Sequence, residues 1–367
     1  MTLQVAIIAD DLTGALDTGT PFVEAGLTVA VAIDVEALVE ALAREPDVVV
    51  VNTASRALPA DEAANRIEAA FAALGSARPH ILFKKIDSRL KGNVAAESMA
   101  LAKAAGLNRI VLAPAIPDQQ RFTVNGAVTG RGVETPLPVR ALFPTTASSI
   151  DVYDARTDAE LDDLVRTTDW PAVVAVGARG LGSAFARSLA LSLTARRTFT
   201  RSTETLFAFG SRDPITTAQI EHLCENRQIA AVADAPAGEL PTGAILQLPA
   251  VARCSGDLTT RPELVAAHFA DGIHQLVKQT RPRMLMMGGG DTALAILKAL
   301  GASVLTPNGE IEPGIPWFEI EDAHSRTIRC AVKSGGFGNV DSLLKLVPEN
   351  LLSQTTSERT RIEKQAW

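Results

Sequence analysis

A chain of 367 residues with 47% hydrophobic and 21% charged residues has the composition of a globular protein long enough for two domains. Its net charge of −7 and aromatic content of 4% argue against nucleic acid as the main partner, which needs a basic face and stacking rings. Three scattered cysteines form no C-x-x-C pair, and no apolar run approaches the ~20 residues of a membrane span. A zinc ribbon, a disulfide framework and a membrane partner are therefore not expected, nor is a cleaved leader. A cytoplasmic location is the expectation.

The run Val5 to Ala9 reads as a buried strand, and a helical pattern begins at Thr13. Asp10 and Asp11 lie between them. Carboxylates at the carboxyl end of a central strand stand where open α/β sheets bind ligands. If the backbone stays extended, the two point to opposite sides. One would then face the ligand while the other caps the helix. Val48 to Val51 is a second strand, ending in Asn52 to Arg56, and a helix is expected over Ala60 to Leu74. His80 to Phe83 leads into KKIDSRLKGN (84–93), a helix over Ala95 to Ala105, and a strand at Arg109 to Ala113. Continuous apolar strands separated by helices predict a largely parallel sheet flanked by helices. Gln119 to Pro138, rich in Gly, Thr and Val, reads as a β-hairpin excursion. Val173 to Val176 resumes the alternation, with a helix after Gly180.

The Thr/Arg/Ser-rich stretch Ala195 to Thr205 marks a domain boundary. The expected division is 1–200, 201–352 and a polar tail at 353–367. The second domain opens with a strand at Leu206 to Phe209 and continues through Gly210-Ser211. Further strands are expected at Ala244 to Leu248 and Met284 to Met287, and helices at Pro262 to Gln279 and Thr292 to Leu300. Gly288 to Asp291 joins the strand at 284–287 to its helix. Glycines there let backbone N–H groups approach an anion. Asp291 could cap the helix, orient a hydroxyl nucleophile or hold a metal. The strand Thr327 to Val332 leads to Ser334 to Gly338 and then to another expected helix, with Phe337 a candidate core residue. These turns, beside Gly210-Ser211, predict a nucleotide cradle. It is neither a Walker loop nor a dinucleotide fingerprint.

Arg56 and Lys85 are candidate ligands for a carboxylate, and Asp10, Asp87 and Ser88 for hydroxyls. Lys84, Arg89 and Lys91 read equally as solvated surface charges. His80, His222, His268, His274 and His324 show no metal-ligand spacing, and His268 and His274 fit a helix surface.

ADDLTGALDTG (9–19), KKIDSRLKGN (84–93), APAIP…NG (113–126), GGDTA (289–293) and KSGGFG (333–338), in this order, resemble the four-carbon acid sugar kinases. The resemblance implies two α/β domains, the first binding a sugar acid and the second ATP, with the active-site cleft between them. It also implies ATP-dependent phosphorylation of threonate, erythronate or a 3-oxo-tetronate. A branched 3-oxo acid such as 3-oxo-isoapionate is the alternative. By motif, Asp10, Asp11, Arg56, Lys85, Asp87 and Ser88 fall on the acid side. Ser211, Gly289, Gly290, Asp291, Thr292, Gly335 and Gly336 fall on the ATP side. Mg2+ would bridge the phosphates, its protein ligands left open. Asp291 or Asp11 would orient or deprotonate the attacking hydroxyl. The chain departs from the family pattern at Arg89 and Lys91, at Gln120-Arg121, and at Arg212-Asp213 after Ser211. A homodimer is left open. The rivals are a non-catalytic sugar-acid or nucleotide sensor, a dehydrogenase, and an aldolase using Lys85 as a Schiff base.

Overall fold

Five consecutive apolar residues leave β1 (Val5–Ala9) no polar face, so it lies inside a sheet covered on both sides. The computed structural model describes residues 3–145, 149–191, 197–241, 243–254, 262–321 and 325–349. The tail read at 353–367 and His324 lie outside the described residues. The chain divides into two compact units, Met1–Arg197 with Ser303–Gly309, and Thr198–Ala302 with Glu310–Trp367. The contiguous boundary expected near residue 200 is thus corrected at one place, because Ser303–Gly309 returns to the first unit.

In the first unit β1 is followed by α1 (Leu12–Glu24), β2 (Val29–Ala32), α2 (Leu38–Ala43), β3 (Val48–Asn52), α3 (Ala60–Ala73), β4 (Ile81–Lys85), α4 (Val94–Ala105) and β5 (Arg109–Ala113). A small antiparallel sheet of β6 (Arg121–Val124), β7 (Ala127–Gly130) and β8 (Leu137–Pro138) follows, matching the expected excursion. Then come β9 (Ser149–Val152), α5 (Asp158–Thr167), β10 (Val174–Gly177) and α6 (Arg179–Ser188). The main sheet runs β2–β3–β1–β4–β10–β5–β9, all parallel. Alternation along β1 divides the packing. Ala6 and Ile8 join Leu38, Ile67, Ala70 and Leu101 of α2, α3 and α4 in one core. On the other face α1 comes so close that a methyl on Gly19 would lie 3.0 Å from Val50. Each fully buried Leu, Ile or Val side chain among these contributes about 1.5–3 kcal/mol.

The second unit contains β11 (Thr205–Phe209), α7 (Pro214–Asn226), β12 (Ala231–Asp234), β13 (Ala250–Arg253), α8 (Pro262–Thr280), β14 (Met284–Gly288) and α9 (Gly290–Ala299). Past the short β15 (Val304–Leu305), which pairs antiparallel with β2, and β16 (Pro307–Glu310), it ends with β17 (Pro316–Glu321) and β18 (Thr327–Lys333). The order β12–β13–β11–β14–β18 is parallel, and β17 is antiparallel at its side. Each unit is therefore an α/β fold around a mostly parallel sheet.

Three expectations change. Ala244 to Leu248 is irregular, and the strand starts after Pro249, at Ala250. Proline supplies no ladder N–H and restricts the residue before it, so pairing begins beyond it. The turn at 334–338 leads not to an α-helix but to a short 3-10 segment, Ser342–Leu346. Helix α9 starts at Gly290, which puts Asp291 in its first turn instead of in the connecting loop.

Gln120 occupies the left-handed region, with φ 56°, where a side chain is strained. Gln120→Gly is expected to raise the unfolding free energy by about 1 kcal/mol in urea titration. No gain, or a loss, would show that the Gln120 side chain itself stabilises the turn.

Candidate functional site

The first strand of each sheet has neighbours reached in opposite winding directions: β1 lies between β3 and β4, and β11 between β13 and β14. Such switch points open a crevice at the carboxyl ends of the strands. In the first unit Ala9 is level with Asn52 on β3 and Lys85 on β4. The residues just beyond these ends therefore converge.

The loop after β3 folds back over β1. Ser55 N–H donates to Asp10 O at 3.0 Å, and Thr53 Oγ1 donates to Ala9 O at 2.9 Å. Arg56 is thereby aimed at both aspartates. Its Nε and Nη2 donate to Asp10 at 2.8 Å each, and its Nη1 and Nη2 to Asp11 at 2.9 and 2.8 Å. The expectation that Asp10 and Asp11 point apart is corrected, since one guanidinium holds both. Asp11 is also the helix cap, accepting from Gly14 N–H at 2.9 Å and from Thr13 Oγ1 at 2.5 Å. Its four acceptor positions are filled. Asp10 is 2% exposed, and among the described residues its side chain accepts from Arg56. Burial alone pushes the Asp10 carboxyl up, but Lys84, Arg56 and Lys85 together hold it below the usual carboxylate range. Burial likewise opposes the Arg56 charge, and Asp11 and Asp10 overcome it, so the guanidinium stays charged.

Lys85 is buried, and its ammonium donates to Ile86 O at 3.0 Å. It faces Asp11 across Gly14, where a Cβ would lie 2.9 Å from Lys85 Nζ. Asp87 Oδ1 accepts from Arg89 N–H at 2.8 Å and so shapes the loop, while Ser88 Oγ accepts from Arg121 Nη1 at 2.5 Å.

Sequence reasoning missed Lys84. It is not a solvated charge: it is 0% exposed and pairs with the equally buried Glu97 at 2.8 Å. Its ammonium also donates to Ile8 O at 3.3 Å and to Lys85 O at 2.7 Å, and Glu97 accepts from Ser55 Oγ at 2.5 Å. The network ties the ends of β1 and β4 to the Arg56 loop. Lys91 is exposed, as expected of a surface charge.

In the second unit Phe209, Gly288 and Lys333 stand side by side at the ends of β11, β14 and β18. The glycines beyond them let neighbouring turns approach more closely than any side chain would allow. A Cβ on Gly210 would overlap Thr292 Oγ1, and one on Gly335 would overlap Ser211 Oγ. Gly289, with φ 100°, lies against the Ser211 backbone, and a Cβ on Gly336 would lie 3.4 Å from Asp213 Oδ2. Gly289 caps α9 with no side chain, so the first-turn N–H groups of Gly290, Asp291 and Thr292 point outward from a helix N-terminus. Asp291 is exposed there, and Phe337 is half-buried. Beyond β11, β12 and β13 lies a pocket of about 470 Å³ bordered by Phe209, Ser211, Arg212, Asp234, Arg253 and Cys254. The donor set and the glycine cradle fit a nucleoside polyphosphate. Among the described residues no group of three or more His, Cys, Asp or Glu could hold a metal ion.

Lys333, fully buried, was also missed as a site residue. It donates to Thr216 Oγ1 at 2.8 Å and to Gly335 O at 3.3 Å, bracing the glycine turn. Burial pulls its pKa down to about 8 against the opposing pull of Asp213 and Glu312. Between about pH 8 and 10.5 the unfolded chain thus binds more protons than the fold, and stability rises with pH across that window. Lys333→Met removes the burial penalty. Its unfolding free energy relative to wild type is expected to fall steadily from pH 8 to 10, and a pH-independent difference would contradict this assignment.

Residues 5–153 match the family described as a sugar-binding N-terminal domain, and residues 250–343 the one described as a nucleotide-binding C-terminal domain. The chain is 30% identical to a D-threonate kinase of Bordetella bronchiseptica, over 93% of this chain and 96% of the relative. It is 26% identical to a D-threonate kinase of Salmonella typhimurium (93% and 97% covered) and to a 3-oxo-tetronate kinase of Methylobacterium radiotolerans (93% and 98%). Solved structures from Salmonella typhimurium (TM-score 0.69, 18% identity, 94% and 98% covered) and Haemophilus influenzae (0.66, 19%, 93% and 98%) share the fold.

Proposed function

The chain belongs to the four-carbon acid sugar kinase family, and on that premise we propose that it transfers the γ-phosphoryl group of ATP to the terminal hydroxyl of a four-carbon sugar acid. It is a phosphotransferase acting on an alcohol group. Threonate, erythronate and their 3-oxo forms are the substrates to expect; a branched 3-oxo acid is the alternative. One observation carries the reading. The first unit's switch point gathers the buried charges of Asp10, Arg56 and Lys85, suited to a polyhydroxy acid, and the second presents glycines at a helix N-terminus.

Phosphoryl transfer asks the protein for positioning and charge neutralisation. In the first unit Asp10 accepts a hydroxyl of the acid, and Lys85 donates to its oxygens. Arg56 works through Asp10 and Asp11, fixing the carboxylates instead of meeting the substrate's own. Ser88 and Asp87 order the loop beside them. In the second unit the backbone at Gly289, Gly290, Thr292, Gly335 and Gly336, with Ser211, receives the phosphates, and the pocket beside Arg253 receives the nucleoside. ATP supplies the phosphoryl group, and Mg2+ neutralises its charge. The ion would be held chiefly by phosphate oxygens and water, with Asp213 as the nearby carboxylate. Orienting the attacking hydroxyl is assigned to Asp291, exposed in the first turn of α9, with Asp11 as the alternative. No helix among the described residues is long and apolar enough to cross a membrane, and Cys224, Cys254 and Cys330 are free thiols. A reducing cytoplasm suits both this chemistry and these thiols.

The test is ADP release with Mg-ATP against the D and L forms of threonate and erythronate, their 3-oxo forms and branched 3-oxo acids. Turnover of one acid, with the phosphate on its terminal carbon, is the expected result. ATP binding with no turnover of any member would favour the sensor reading.

A further inference from the structure

Arg56 is committed to Asp10 and Asp11, so a guanidinium for the acid's own carboxylate would have to come from elsewhere in the first unit. We propose that Arg121, assisted by Arg89 and with Arg131 adding charge, is the anchor for that carboxylate. The inference rests on the sugar-acid kinase reading above and names how that substrate is recognised.

Arg121 opens β6 and is 7% exposed. Its Nη1 donates to Ser88 Oγ at 2.5 Å and its Nε to Arg131 O at 3.1 Å, which fixes the plane of the guanidinium. These partners are neutral. No described carboxylate forms an ion pair with it; Asp87 and Asp118 act only at longer range. The neighbouring charges are mostly of its own sign. Burial first, then Arg89 and Arg131, weaken its hold on its proton, and Asp87 and Asp118 offset this in part. A buried cation beside two others, without a paired anion, costs several kcal/mol unless a ligand supplies the anion.

The geometry converges on one place. A Cβ on Gly132 would lie 3.8 Å from Arg89 Nη1 and 3.9 Å from Arg121 Nη2. Gly132 itself has φ 76° and is exposed, so the space is open to solvent. A fixed guanidinium meets a carboxylate through paired N–H donors, which an ammonium cannot match. Ser88 accepts from Arg121, which leaves its own proton to donate toward the same anion.

The experiment compares wild type with Arg121→Gln and Arg89→Gln. It measures KM for the acid, KM for ATP, and turnover of the tetritol in which the carboxylate is replaced by a hydroxymethyl group. Arg121→Gln is expected to raise the acid's KM by about 10–100-fold. It should leave the ATP KM within about twofold and shrink the preference for acid over tetritol by a similar factor. Arg89→Gln, at a half-buried position, should give a smaller shift of the same pattern, and it decides the matter if Arg121→Gln does not fold. Unchanged acid KM in folded variants, or equal loss for acid and tetritol, overturns the proposal. Calorimetry with the acid separates this from the kinase reading. If wild type binds an acid without turnover and Arg121→Gln does not bind it, the anchor stands and the kinase reading falls. If wild type binds no acid, both fall.

Discussion

Asp291→Asn is expected to lower kcat by about 10²–10⁴-fold, the range for loss of a positioned proton acceptor. Asparagine keeps the shape and can still donate to a hydroxyl oxygen, but it cannot take the proton. The fold should survive the change. Gly289, not Asp291, caps α9, and Asp291 is exposed, so losing its first-turn carboxylate beside the helix dipole costs about 0.3–1 kcal/mol. The ATP KM should stay level or fall, because a negative charge near the phosphates has been removed. A kcat within about twofold of wild type would remove Asp291 from the role and reopen Asp11.

Lys84→Met is expected to cost about 3–5 kcal/mol of unfolding free energy, the largest stability effect in the first unit. The substitution keeps the length of the side chain but strips Glu97 of its counter-ion in a place without solvent. It also frees the carbonyls of Ile8 and Lys85, at the strand ends that carry Asp10 and the loop after β4. The double variant Lys84→Met with Glu97→Leu should recover most of the loss, because replacing both members of a buried pair by apolar groups is often near neutral. Urea unfolding of the three proteins checks this. A single-variant cost below about 1 kcal/mol, or no recovery in the double, would mean that the pair is not the tie between β1, β4 and the Arg56 loop.

The switch-point residues were legible because chemistry sits where apolar runs stop. Val5 to Ala9 ends in Asp10-Asp11, and Met284 to Gly288 runs into glycines, so each site residue is announced by the strand before it. Partners across the sheet were not legible. Arg56 reads as a free cation until the loop after β3 is seen to fold over β1, and nothing near Lys84 in sequence names Glu97, thirteen positions on in another element. Lys84 and Lys85 are adjacent in a strand, yet both are buried, because β4 lies between two neighbours with helices beyond. The return of Ser303–Gly309 to the first unit is made by the two residues of β15 pairing with β2 and by single hydrogen bonds from Ile33, Arg44 and Ser303, too short a signal for any periodicity. The strand misplaced at Ala244 to Leu248 shows the converse, an apolar stretch whose pairing starts only after Pro249.

The central claim is a division of labour, acid at the first switch point and ATP at the second. Isothermal calorimetry on Lys85→Met and Gly335→Ala, each with the acid and with Mg-ATP, tests it most directly. Lys85→Met should weaken the acid by at least about 10-fold, the loss of a charge-assisted hydrogen bond, and leave ATP within about twofold. Gly335→Ala, whose Cβ displaces Ser211 and crowds Asp213, should weaken ATP by about 10-fold or more and leave the acid alone. Lys85→Met weakening both ligands alike, or Gly335→Ala binding ATP as wild type does, would contradict the account.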